Sequence, residues 1–112
     1  MNDIFSLKGK KAVVIGGGGG IGQEISKGLA FYGADVVIAS RTMATLEKAA
    51  SQIEVEIGKK VICLQVDASK EESIINLAKE AVKVLGTVDI LVNSQGYNKK
   101  FPTTEIPVAE WT

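Results

Sequence analysis

Lys11-Ala12-Val13-Val14-Ile15 is followed by five consecutive glycines, Gly16 to Gly20, and then by Ile21-Gly22. An apolar run, a glycine stretch and a helix-forming segment in that order predict a strand, a tight turn and a helix start. Such a turn lets backbone N–H groups approach a phosphate with no side chain between, and the helix dipole favours the negative charge. The arrangement points to nucleotide binding. Two registers fit it: Gly17-x-Gly19-x-x-Gly22 matches the general dinucleotide fingerprint, and Gly16-x-x-x-Gly20-Ile21-Gly22 matches a wider-spaced variant. Five glycines also suit a flexible linker, but linkers rarely lie between an apolar strand and an amphipathic helix. A Walker-type phosphate loop is excluded, because no Lys-Ser or Lys-Thr follows the glycines.

On either side of this turn, short apolar runs alternate with longer amphipathic ones, the pattern of a parallel α/β sheet. The first strand is read as Ala12–Ile15. The helix after it runs from about Gly20 to Tyr32, with Ile21, Ile25 and Leu29 on one face and Gly33 just past its end. Asp35–Ala39 is the second strand, and its nearly unbroken apolar character fits a strand covered on both faces. A helix from about Thr42 to Ile57 presents Met43, Leu46, Ala50 and Ile53, and Gly58 closes it. Val61–Val66 is the third strand. Ser69-Lys70-Glu71-Glu72 reads as a capping box. The helix it opens carries Ile74, Leu77, Ala78, Ala81, Val82 and Leu85 at helical spacing, and Gly86 ends it. Val88–Val92 is the fourth strand, and the tail from Asn93 to Thr112 is irregular.

The expectation is therefore one α/β domain over residues 1–112, a doubly wound parallel sheet of the Rossmann type. Right-handed crossovers give the strand order 3-2-1-4, with the switch point between the first and fourth strands. Ligands of such sheets bind beyond the carboxyl ends of the strands at that point. The glycine turn and the Asn93 loop both arrive there.

Composition narrows the function classes. Thirteen Lys and Arg balance thirteen Asp and Glu, and no basic stripe speaks for nucleic acid or an anionic membrane surface. No apolar stretch reaches the roughly 18 residues of a membrane span, and Met1 to Ser6 lack the features of a signal peptide. Cys63, the single cysteine, lies in an apolar run and reads as a buried small hydrophobe. A cytoplasmic, reducing compartment is expected. Histidine is absent, which removes the commonest metal ligand and acid–base group, and no metal site is expected.

The remaining site candidates lie at the ends of the other strands. A NAD site usually places a carboxylate about 20 residues beyond the glycines, to accept the adenosine ribose hydroxyls. Here Ser40 is uncharged and Arg41 stands beside it. A guanidinium pairs bidentately with a 2′-phosphate, whereas a carboxylate repels it, so NADP is favoured over NAD. A solvated Arg before a helix is the plainer alternative. Asp67, after the third strand, either accepts from an adenine amino group or enters the next helix. Asn93-Ser94-Gln95-Gly96 closes the fourth strand, as a site segment or as a plain turn.

Together these residues resemble the short-chain dehydrogenase/reductase family, which shows Thr-Gly-x-x-x-Gly-Ile-Gly after strand one, an Asp near the end of strand three and Asn-Asn-Ala-Gly after strand four. The resemblance runs from about Leu7 to Trp111. It implies that Gly16, Gly20, Ile21 and Gly22 hold the pyrophosphate, Arg41 the 2′-phosphate, Asp67 the adenine, and Asn93 and Gly96 the adenosine-ribose side. Ile15 replaces the family's Thr, removing a hydroxyl that ties the glycine loop to its neighbours. Ser94 and Gln95 replace Asn-Ala, which would narrow the space beside the nicotinamide ribose.

The family's catalytic Ser, Tyr-x-x-x-Lys pair and further Asn belong to its second half. Four residues beyond Tyr32 and Tyr97 stand Val36 and Phe101, so this chain has no such pair. No catalytic residue is assigned, and the 112-residue chain is expected to be inactive. The whole enzyme implied by the resemblance moves hydride between NADPH and a ketone or secondary alcohol, and Gln95-Gly96-Tyr97-Asn98 faintly resembles members acting on polyols or sugar acids. A non-catalytic, nucleotide-binding or self-associating half-fold is the alternative. Methyl transfer from S-adenosylmethionine is disfavoured by Arg41, since that ligand's ribose wants a carboxylate. Association of two chains along the bare edge of strand four is the last expectation.

Overall fold

The computed structural model describes residues 6–16 and 18–94. Its elements follow the expected alternation: β1 (Lys11–Ile15), α1 (Gly20–Phe31), β2 (Asp35–Ser40), α2 (Met43–Ile57), β3 (Ile62–Gln65), α3 (Glu71–Leu85) and β4 (Ile90–Asn93). The strands form one parallel sheet in the order β3-β2-β1-β4. Side chains alternate across a strand, so the two central strands must be apolar at every position if helices cover both faces. Val13 and Ile15 of β1 and Val37 and Ala39 of β2 pack against Leu77, Ala78, Ala81 and Leu85 of α3. Ala12, Val14, Val36 and Ile38 face the other way, onto Ala30 of α1 and Leu46 and Ala49 of α2. Each fully buried Val, Leu or Ile contributes about 1.5–3 kcal/mol. β3 and β4 lie at the edges of the described sheet, and β3 is half-open, with Ile62 39% exposed.

Two local expectations are corrected. Ile21 does not share a buried face with Ile25 and Leu29; it is 72% exposed. The buried line of α1 is Gly22, Ser26 and Ala30, with Ile25 and Leu29 packed beside it. Small residues let this helix lie close to the sheet, and the Ser26 hydroxyl meets its buried hydrogen-bonding need by donating to the Gly22 carbonyl at 2.8 Å. The capping box is not formed either. Lys70 is the N-cap of α3 and makes no side-chain cap bond. Ser69 Oγ donates instead to Asp67 Oδ1 at 2.6 Å, a charge-assisted bond that turns the hydroxyl toward the carboxylate two residues back and away from the helix N–H groups. Glu71 and Glu72 still occupy the first turn, where the dipole favours them. Cys63 is half-buried on β3 against the core; that burial, helped by the charge of Glu47, pushes its thiol pKa up.

An ion cluster ties together the sheet end remote from the glycine turn. Asp35, at the start of β2, accepts from Lys11 Nζ, with Lys59 Nζ 3.7 Å from its other oxygen. The Lys11 hydrogen bond is the main force holding the Asp35 pKa below its ordinary value. A carboxyl lowered in the folded state contributes fully above its unfolded pKa of about 4, and that contribution is lost as pH falls through the lower folded value. The melting temperature is therefore expected to drop between pH 5 and pH 2, and by less in Asp35→Asn. Equal acid sensitivity of the two proteins in thermal melts would show that this cluster contributes nothing.

Candidate functional site at the carboxyl ends of the strands

β1 ends at Ile15, and the chain turns sharply at Gly16, whose φ of +86° lies in the left-handed region that side chains disfavour. The Gly16 N–H donates to the Ala39 carbonyl at 2.6 Å, pinning the turn to β2, and the Gly19 N–H donates back to the Gly16 carbonyl at 3.2 Å. Gly19 then caps α1 in an extended conformation, without a side-chain cap bond and with no acidic residue in the first helical turn. An anion therefore meets neither a competing side chain nor a repelling charge at this helix start. Around the missing Cβ of Gly20 nothing lies within 4 Å, so a ligand has open access. Gly22 is the opposite case: a Cβ there would sit 2.2 Å from the Gly16 carbonyl oxygen and 2.6 Å from Ser94 Oγ. On the far side of the turn a Cβ on Gly18 would lie 2.9 Å from Thr45 Cγ2, so the first turn of α2 forms a second wall.

Ser40 ends β2, and its carbonyl accepts from the Val66 N–H at 2.8 Å. Arg41 follows, exposed, with its carbonyl receiving Gln65 Nε2 at 2.8 Å. Arg41, Gln65, Val66, Asp67 and Ser73 line an open cleft of about 350 Å³. The fold thus brings Arg41 and Asp67, which follow the second and third strands, into one cleft. Gln65 and Ser73 join them there; the only sequence signal for Gln65 is a polar residue at the end of an otherwise apolar strand, and Ser73, in α3, has none. The Asp67 carboxylate already accepts from both the N–H and the hydroxyl of Ser69, at 3.0 and 2.6 Å. These bonds, the hydroxyl's first, hold its pKa low, and the charge of Arg41 adds to the effect. Its backbone N–H donates to Ser73 Oγ at 2.8 Å, which fixes the loop onto α3. Asp67 is thus a loop-ordering residue as well as a wall of the cleft.

Asn93 ends β4 directly opposite Ile15, beside the start of the glycine turn. Ser94 points back to that turn, with Oγ 3.1 Å from the Ile15 carbonyl and 3.4 Å from that of Gly16. Gly96, Gln95 and the Tyr97 segment lie outside the described residues, as does Gly17. The fold therefore gathers Gly16, Gly20, Ile21, Gly22, Ser40, Arg41, Asp67 and Asn93 at one end of the sheet, beyond the carboxyl ends of its strands. Among the described residues no group of three His, Cys, Asp or Glu side chains is placed to hold a metal ion. No helix of the described residues is long and apolar enough to cross a membrane.

A family model described as short chain dehydrogenase matches residues 10–112. Gluconate 5-dehydrogenase of Gluconobacter oxydans is 36% identical over 109 residues, covering 97% of this chain and 42% of that protein. A short-chain type dehydrogenase/reductase from Mycobacterium marinum superposes with a TM-score of 0.80 at 28% identity, over 98% of this chain and 45% of its own. L-sorbose reductase from Gluconobacter frateurii, solved with NADPH and L-sorbose, gives 0.76 at 30% identity over 96% and 41%. The chain spans less than half the length of these proteins.

Proposed function

The chain belongs to the short-chain dehydrogenase family, and we propose that it is the dinucleotide-binding part of an NADP(H)-dependent oxidoreductase acting on a ketone or secondary alcohol. The observation that carries this reading is the end of β2, where uncharged Ser40 is followed by exposed Arg41, which lines a cleft together with Asp67. Gly16, Gly20, Ile21 and Gly22 take the pyrophosphate, Arg41 the 2′-phosphate, Asp67 the adenine side, and Asn93 and Gly96 the adenosine-ribose side. The open space around Gly20 and the uncapped start of α1 fit such a group. NAD fits less well, because no carboxylate stands at the end of β2 to take the ribose hydroxyls. Hydride chemistry belongs to the bound nicotinamide; these residues bind and orient.

Gluconate 5-dehydrogenase and L-sorbose reductase, both similar to this chain, favour a polyol or sugar acid as the substrate of the whole protein. The 112 residues contain no Tyr-x-x-x-Lys pair, so the chain by itself binds cofactor without turnover. Incubation with NADPH and a panel of sugar-derived ketones tests this: no NADPH oxidation is expected, and steady oxidation would contradict it. Self-association along β4, the described sheet edge next to β1, is the accompanying proposal. Sedimentation at tens of micromolar is expected to show a dimer or larger species. A monomer with fast-exchanging β4 amides would overturn that part.

A further inference from the structure

We propose that the Ser94 hydroxyl is the group that positions the glycine turn, holding its first carbonyl where the turn can receive the pyrophosphate of a dinucleotide. This inference rests on the cofactor reading above. Ser94 is the residue after β4, and its backbone N–H donates to the Ile15 carbonyl at 2.9 Å, fixing it against the end of β1. Its Oγ then lies 3.1 Å from that same carbonyl and 3.4 Å from the Gly16 carbonyl. A hydroxyl has one hydrogen to donate, so the nearer Ile15 carbonyl takes the larger share of it and the Gly16 carbonyl the weaker one. The Gly16 oxygen is also the acceptor of the Gly19 N–H, the bond that closes the turn. On the helix side, the absent Cβ of Gly22 leaves the space into which Ser94 Oγ and the Gly16 oxygen project.

One short side chain thus touches the end of β1, the first residue of the turn and the first turn of α1. Ile15 offers no polar side-chain atom for that task. Ser94 lies on the turn side of the site, away from Arg41, so it acts through the turn and not on the 2′-phosphate. Ser94 is in this sense a positioning residue.

Ser94→Ala and Ser94→Thr, compared with the unmodified chain, test the assignment. Without ligand, Ser94→Ala is expected to speed hydrogen exchange of the Gly19 amide about two- to threefold, the lower end of the worth of one hydrogen bond because this one is shared, and to leave the Val13 and Val14 amides unchanged. With ligand, NADP+ affinity falls by a similar factor, while adenosine 2′-monophosphate, which lacks the pyrophosphate, binds Ser94→Ala as well as it binds the unmodified chain. Ser94→Thr keeps the hydroxyl and restores both readouts. Unchanged Gly19 exchange in Ser94→Ala overturns the proposal. So does an equal loss of both ligands with a lower melting temperature, which marks a merely structural role. If the unmodified chain does not bind NADP+, the cofactor reading fails by itself, and Gly19 exchange still decides the role of Ser94.

Discussion

Gly22→Ala is expected to destabilise the chain by about 1–3 kcal/mol, the usual cost of overpacking, and to abolish dinucleotide binding. The added carbon would stand 2.2 Å from the Gly16 carbonyl oxygen, 2.9 Å from the Gly16 carbonyl carbon and 2.6 Å from Ser94 Oγ. The Ser94 hydroxyl can swing away, but the Gly16 peptide cannot yield cheaply. Its N–H is bonded to Ala39, its oxygen receives Gly19, and its φ of +86° leaves few alternatives. Relief therefore comes from pushing α1 off the sheet, which uncovers Ser26 and Ala30. At about 4–8 °C per kcal/mol for a domain near this size, the change is large in a thermal melt. Gly20→Ala is the control, since nothing lies within 4 Å of its missing Cβ. That variant keeps its stability but loses dinucleotide affinity, because its methyl occupies space left for the ligand. Wild-type melting of Gly22→Ala would contradict the packing argument.

The second large effect is on cofactor choice. Ser40→Asp together with Arg41→Ala should turn an NADP preference into a NAD preference. A charge-assisted bond from the guanidinium to a 2′-phosphate is worth about 1–3 kcal/mol, or roughly ten- to a hundredfold in affinity. Arg41 is exposed and solvent screens it, which places the effect toward the lower end. The new carboxylate then repels the 2′-phosphate and accepts from the free ribose hydroxyls of NAD. Competitive titration of the double variant with both dinucleotides measures the reversal. A variant that still prefers NADP would place the 2′-phosphate away from Arg41.

The order of the strands was legible because the apolar runs of β1 and β2 are unbroken, whereas the helices repeat at helical spacing. Right-handed crossovers then leave few ways to connect four parallel strands. The same topology gathers the candidate residues, since loops leaving neighbouring parallel strands at one end must meet. Side-chain direction was not legible. That the Ser94 hydroxyl meets the Ile15 carbonyl depends on how β4 registers against Ile15, which no local pattern states. Ile21 was assigned to a buried face on hydrophobicity, but α1 approaches the sheet through Gly22, Ser26 and Ala30, where small size decides. The Ser69 cap gives way to a nearby carboxylate, whose charge-assisted bond outweighs a neutral cap and is not visible in the capping pattern. With five glycines in a row, only the geometry assigns separate roles to Gly16, the turn, and Gly22, the close approach.

Titration of the unmodified 112-residue chain with NADP+, and separately with NAD+, followed by backbone amide shifts, decides whether the carboxyl ends of β1 and β2 form a dinucleotide site. Saturable binding in the micromolar range or weaker is expected, tighter for NADP+, with the amides of Gly16, Gly19, Gly20 and Arg41 shifting together in one titration. Absence of saturable binding, equal affinity for the two dinucleotides, or shifts confined to residues away from the carboxyl ends of β1 and β2 would contradict it.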